Sequence, residues 1–239
     1  MQGLYILITR IIIISDTCNS ERGCAGVRDE FSFFTVLTYW GLLFYFLFSS
    51  LHTLTYAFRG QPLIHRFPRP LKALHSLFYS TVVTYPFLVT IVYWAILYED
   101  PWYTEIFDGW KEVSQHAINS FFALFEIFIP RTEPLPWVHA VWLVVILALY
   151  LALAYVTHAT KGFYPYSFLD PGPDGPGGHG WVAAYCVIIL VATLVLFLIV
   201  RYLIMARVWV TERKMGMRGK TVPLRSRRGN DIELGAATK

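Results

Sequence analysis

Charge is what this sequence has least of. Lysine and arginine number 20, aspartate and glutamate 16, and charged residues make up 15% of the 239 positions, against 56% hydrophobic and 17% aromatic. So thin a polar complement excludes the one or two soluble domains that the length alone would permit. No internal repeat is evident, and no polar stretch is left over to build an extramembrane catalytic domain. Any chemistry therefore belongs in or beside apolar helices. Cysteine is scarce too, at 3. The N-terminal stretch has neither the basic start nor the small-residue cleavage site of a cleaved signal peptide. The net charge of +4 is no nucleic-acid footprint, because a basic tail beside a bilayer holds anionic lipid headgroups or fixes topology. No nucleic-acid partner is expected.

What the chain does have is long apolar runs. A helix needs roughly 20 apolar residues to cross the hydrocarbon core of a bilayer. Residues 31–58, 73–98, 134–160 and 181–200 reach that length without a charge. A fifth run, 113–130, is shorter and holds one acid, Glu126. Residues 3–14 are apolar but short and interrupted by Arg10, which reads as a stunted sixth span or an interfacial helix. The expected fold is all-α, a polytopic transmembrane helix bundle with five long spans and that short sixth. Residues 1–30 form its N-terminal hydrophobic segment and lumenal loop, 31–205 the bundle, and 206–239 a disordered basic cytosolic tail.

Orientation follows from where Lys and Arg collect. The loop 59–72 has Arg59, Arg66, Arg69 and Lys72 and no acid, and the tail after Met205 is the richest in basic residues. The loop 99–112 is the reverse, with Glu99, Asp100, Glu105, Asp108 and Glu112 against Lys111. One path satisfies these constraints: 59–72, 130–136 and the C-terminal tail are cytosolic, while 16–30, 99–115 and 161–180 are lumenal. An integral membrane protein of the endoplasmic reticulum or another endomembrane is expected. Cys18 and Cys24 fall on the lumenal side, where a disulfide is chemically permitted. Cys186 lies inside a span and is read as packed there.

Polar side chains inside a span are costly, so each needs a reason. In 113–130, His116, Asn119, Ser120, Ala123 and Glu126 recur at helical spacing on one face. Asn119 and Ser120 read as interhelical glue. Glu126, far along the helix from His116, reads as neutral or paired and structural. Thr35 and Thr38 lie one turn apart near the lumenal end of the 31–58 run, and a membrane threonine ordinarily bonds the carbonyl one turn back. A hydroxyl beside an imidazole is nonetheless the minimum for nucleophilic catalysis, and the threading permits Thr38 to meet His116. A rival reading takes His52 with His75, and His116 with His158, as axial pairs for two stacked haems.

Certain segments resemble a known family. Leu37-Thr38-Tyr39-Trp40-Gly41-Leu42 resembles the Leu-Thr-aromatic motif that opens a span in the androgen-induced membrane protein family. The stretch from His116 through Asn119 to Glu126 is similar to that family's central signature, a histidine ten residues ahead of a glutamate. Tyr155-Val156-Thr157-His158 and Gly162-Phe163-Tyr164-Pro165-Tyr166 through Asp170 are similar to its closing motif, and Tyr85-Pro86 and Val92-Tyr93-Trp94 also fit. The likeness covers residues 31–202. The resemblance implies a multipass threonine hydrolase that cleaves fatty acid esters of hydroxy fatty acids. It makes Thr38 the nucleophile and His116 the base, with Thr35 as the rival nucleophile, and it requires no metal or cofactor. The expected partners are a lipid substrate with long acyl chains and the surrounding membrane lipids. Asn119, one turn from His116, is the candidate substrate-binding group for the oxyanion. The chain departs from the family in its short first segment and its long 161–180 loop. A looser likeness to rolling-stone membrane proteins implies no chemistry, so a non-catalytic membrane organiser stands with the di-haem oxidoreductase as an alternative.

Overall fold

The computed structural model describes residues 1–20, 23–173, 175 and 177–217, and everything regular among them is helical. The helices are α1 (Gln2–Asn19), α2 (Gly23–Glu30), α3 (Phe34–Arg59), α4 (Arg69–Val92), α5 (Ile106–Val113), α6 (Asn119–Phe128), α7 (Val138–Lys161) and α8 (His179–Val208). Three π turns extend or join them: Tyr93–Leu97 after α4, Ser114–Ile118 between α5 and α6, and Trp209–Lys214 after α8.

Four helical runs are long and apolar enough to cross a membrane: Phe34–Arg59, Arg69–Leu97, Val138–Lys161 and His179–Lys214. α7 and α8 leave Val141, Leu149, Val187 and Ile188 more than half exposed. Such a continuous apolar surface is costly in water and satisfied in lipid, which fits an integral membrane protein. The stretch 113–130, expected as a fifth span, is not among the four. Its helical run begins among Asp108, Lys111 and Glu112, is divided by a π turn, and ends at Phe128.

The N-terminal segment is larger than its sequence suggests. α1 has 18 residues, about 27 Å of helix. It runs antiparallel to α3 so closely that a Cβ on Gly3 would lie 3.2 Å from Phe46 Cβ. Arg10, which interrupts the apolar run, is fully buried because the fold supplies partners. Its Nη2 donates to Glu30 Oε2 at 2.6 Å and its Nη1 to Gln115 Oε1 at 3.4 Å. Thr17 Oγ1 donates to the other Glu30 oxygen at 2.7 Å. Cys18 and Cys24 are disulfide-bonded, which closes the α1–α2 corner.

α4 is the central helix, the most buried of the four long runs, and packs on α3, α6, α7 and α8. Buried hydroxyls staple it to its neighbours: Tyr85 donates to the Leu143 carbonyl at 2.7 Å, and Ser80 Oγ meets His139 Nδ1 at 2.7 Å. Gly60 and Gly162 end α3 and α7 at φ 68° and 78°, the left-handed C-cap that glycine adopts without a Cβ penalty. The C-terminal region departs from the expected tail. Helix continues through Lys214, and Arg207 is buried rather than solvated, donating to the carbonyls of Ile127, Pro130 and Thr132. The arginine satisfies the carbonyls at the end of α6. The rest of the expected tail, 218–239, lies outside the described residues.

Candidate functional site

At the end of the bundle that carries the acidic 99–112 loop, two π turns face each other. A π turn widens the helix by one residue and shifts its carbonyls out of the i→i+4 register. Trp94 Nε1 takes the one on His116, at 3.1 Å. The imidazole of His116 lies flat on the Tyr93 ring, with centroids 3.7 Å apart. Its Nδ1 is 3.0 Å from the Glu112 carbonyl oxygen and 3.0 Å from Glu112 Oε2. Both neighbours are acceptors, so Nδ1 carries the proton and Nε2 presents its lone pair. Among the described residues Nε2 has no hydrogen-bond partner. A buried histidine held through one nitrogen by a carboxylate, with the other nitrogen free, is equipped as a general base.

Glu112 lies outside the long apolar runs. Burial pushes its carboxyl up, but the hydrogen bond from His116 and the charge that ring carries once protonated, helped by Lys111, outweigh burial and hold it below the ordinary carboxylate value. The acidic loop residues were read from the sequence only as an orientation signal. The i, i+4 spacing of Glu112 and His116 on one helix was the available clue to their pairing.

The two threonines occupy different faces of α3. Tyr39, Leu42 and Phe46 run down the buried stripe of α3 that meets α1 and α6, where Phe46 packs edge-on to Phe122. The π turn bearing His116 also packs on α3. Thr35 Oγ1 lies 3.5 Å from Tyr166 Oη, and its backbone N–H donates to the same oxygen at 3.3 Å. Thr38, about 60° further round the helix, lines a cavity of about 340 Å³ between α3, α4 and α7 together with Phe34, Thr81, Tyr85 and Tyr150. Its hydroxyl donates to the Thr35 carbonyl at 2.9 Å, the back-bond expected of a membrane threonine. Among the described residues no hydrogen bond joins either threonine to His116.

Asn119 is buried, and its Oδ1 accepts from Thr90 Oγ1 at 3.1 Å and from the Ser120 N–H at 2.6 Å. The oxygen is thereby turned inward, and the amide nitrogen has no partner among the described residues. Ser120 shares Thr90 through its own hydroxyl at 2.7 Å, so this pair does bind neighbouring helices. Glu126 is paired as expected: Tyr45 Oη donates to Oε2 at 3.2 Å.

His52 and His75 stand perpendicular with centroids 5.0 Å apart, edge against face, which leaves no gap for a porphyrin between them. His116 is stacked on Tyr93 and His158 on Tyr164, at 3.7 and 3.8 Å. Ser80 and His139 do place a hydroxyl on an imidazole, but Ser80 is fully buried in the α4–α7 contact and lines none of the cavities described here.

Compared with protein-family models, curated proteins and solved structures, the chain finds no match.

Proposed function

We propose that the chain is a membrane-embedded ester hydrolase acting on lipids with long acyl chains, and that the buried Glu112–His116 pair supplies its base. That pair is the observation that carries the reading, because a carboxylate orients the imidazole through Nδ1 while Nε2 has no partner among the described residues. In this mechanism an α3 threonine attacks the ester carbonyl as Nε2 of His116 takes its proton. The imidazolium then protonates the departing alkoxide, and water releases the acid from the acyl-threonine. Thr35 suits the nucleophile better than Thr38. Among the described residues its hydroxyl has only the long 3.5 Å contact to Tyr166 Oη, whereas the Thr38 hydroxyl is engaged by the Thr35 carbonyl and lines the cavity between α3, α4 and α7. The mechanism requires Thr35 Oγ1 to come within hydrogen-bond reach of His116 Nε2 in the substrate complex.

The finer architecture belongs to the same proposal. The stretch 113–130 forms a fifth span, with α1 beside it. The basic end faces the cytosol and the site lies near the lumenal headgroups of an endomembrane. The resemblance of the 116–126 and 155–170 segments to the androgen-induced membrane protein family supports hydrolysis of fatty acid esters of hydroxy fatty acids.

The test is turnover of a long-chain fatty acid ester of a hydroxy fatty acid by purified protein. His116→Ala and Thr35→Ala each abolish it, and the double variant is no worse than either, as for groups acting as a unit. Thr38→Ala and Ser80→Ala retain it. Loss with Thr38→Ala and not Thr35→Ala moves the nucleophile to Thr38. Full turnover in His116→Ala overturns the reading.

A further inference from the structure

On the far side of Phe34 and Tyr150 from the Thr38 cavity lies a second cavity, of about 190 Å³, between α4, α7, α8 and the turn Ser167–Leu169. Leu88, Val92, Ala148, Ile189, Leu190 and Cys186 are among its walls, and no charged residue lines it. Two phenols bring oxygen to this lining. Tyr150 Oη is spent, donating to the Ser32 carbonyl at 3.0 Å. Among the described residues Tyr166 Oη accepts the Thr35 N–H and has a long contact to Thr35 Oγ1, beside the Tyr150 phenol, and no carbonyl accepts its proton. Burial pushes the Tyr166 phenol above its ordinary value, which keeps it a donor. The cavity is therefore a hydrocarbon slot with one O–H donor at its head, beside a candidate nucleophile.

We infer that this cavity is the acyl site: a long unbranched chain lies between α4, α7 and α8 alongside Cys186, and the ester carbonyl oxygen at its head accepts a hydrogen bond from Tyr166. The inference rests on the hydrolase reading and adds to it a binding site and an oxyanion donor. As the Thr35 oxygen forms its bond to the carbonyl carbon, the carbonyl electron pair moves onto oxygen. Tyr166, keeping its proton, donates to that oxyanion until the alkoxide leaves. An uncharged lining rejects a headgroup, and a slot with its single donor at one end suits an acyl ester.

Cys186 makes the site observable without turnover. The protein has 3 cysteines and two are bridged, so N-ethylmaleimide alkylates Cys186 alone in the folded, non-reduced protein. A non-hydrolysable long-chain ether analogue of the ester slows that alkylation several-fold, and cholesterol does not. Ala148→Trp, which fills the slot, abolishes the protection and raises KM for long-chain but not short-chain esters. Leu190→Trp serves if that variant fails to fold. Tyr166→Phe keeps the protection and lowers kcat by about 10²–10³-fold with little change in KM, as loss of an oxyanion donor does. Unprotected Cys186 in a preparation that hydrolyses the ester places the acyl site elsewhere and leaves the hydrolase reading standing. Protection by cholesterol overturns the acyl assignment. Protection by the ether analogue in a protein that no Thr35, Thr38 or His116 substitution affects keeps the site and removes the enzyme.

Discussion

The imidazole of His116 and the phenol ring of Tyr93 lie 3.7 Å apart and within 11° of parallel, and each residue sits in a π turn. The stack fixes the plane of the imidazole, Glu112 fixes its rotation about that plane, and Tyr93 is itself held by Tyr103 through a 2.6 Å hydroxyl contact. Tyr93 is thus a positioning residue. Replacing it by leucine keeps burial but frees the ring. Misplacing a reacting group by about 1 Å costs up to about 10²-fold, so Tyr93→Leu is expected to lower kcat by about 10–10²-fold with KM little changed. Tyr93→Phe, which preserves the stack, should recover most of the rate. Equal losses in both variants would assign the effect to the Tyr93–Tyr103 hydroxyl contact instead.

The depressed Glu112 carboxyl sets a pH dependence with a definite sign. A group whose folded value lies below its ordinary 4.5 contributes stability that is fully present above that value and is lost as pH falls through the folded one. Thermal unfolding in detergent, followed from about pH 7 down to about pH 3, should show a fall confined to the acid side of the ordinary carboxyl value. Glu112→Gln should flatten that part of the curve. If the wild type and Glu112→Gln fall in parallel, Glu112 does not draw its stability from His116.

Much of this was legible in the sequence, and what was not has a physical reason. The four longest helices follow from uninterrupted apolar runs, which only a helix satisfies in lipid. Glu126, a lone acid in a greasy segment, had to be paired, and Tyr45 pairs it. Pairing between distant segments was hidden. Nothing local to Arg10 announces that Glu30 and Gln115 will neutralise and cap it, so α1 read as stunted by its own charge. Arg207 likewise counted as a tail charge because the carbonyls it binds are 75 to 80 residues away in sequence. The faces of Thr35 and Thr38 differ because a helix turns about 100° per residue, so positions three apart diverge by roughly 60°. Which face meets which neighbour is decided by packing alone.

The Arg10 network predicts a stability defect with a characteristic rescue. Removing one member of a buried pair leaves the other charge uncompensated, at a cost of about 3–5 kcal/mol, whereas replacing both by apolar residues is often tolerated. Arg10→Met and Glu30→Met should each lower the unfolding temperature markedly in detergent, and the double variant should recover much of the loss. Because Gln115 precedes His116, the single variants should also reduce turnover at temperatures where the protein remains folded. Additive losses in the double variant would show that the two residues act independently.

The two ends of the bundle carry opposite chemistry, and this predicts an orientation that can be tested. Arg59, Arg66, Arg69 and Lys72 are all exposed at one end, as are Arg213 and Lys214, and exposed basic residues beside a span stay on the cytosolic side. Arg207 adds nothing to that count, since its charge is held by backbone carbonyls. The disulfide between Cys18 and Cys24 belongs to the opposite end, together with the acidic loop, and disulfides persist where the compartment is oxidising. These two indicators come from different chemistry and agree. A glycosylation acceptor introduced at Gly177 should be modified and one at Pro68 should not, and a reporter fused after Lys239 should read cytosolic. Modification at Pro68 would invert the bundle and place the His116 end toward the cytosol. In that case the bridge between Cys18 and Cys24 should be found reduced in cells, so alkylation of the two thiols before lysis gives an independent reading of the same orientation.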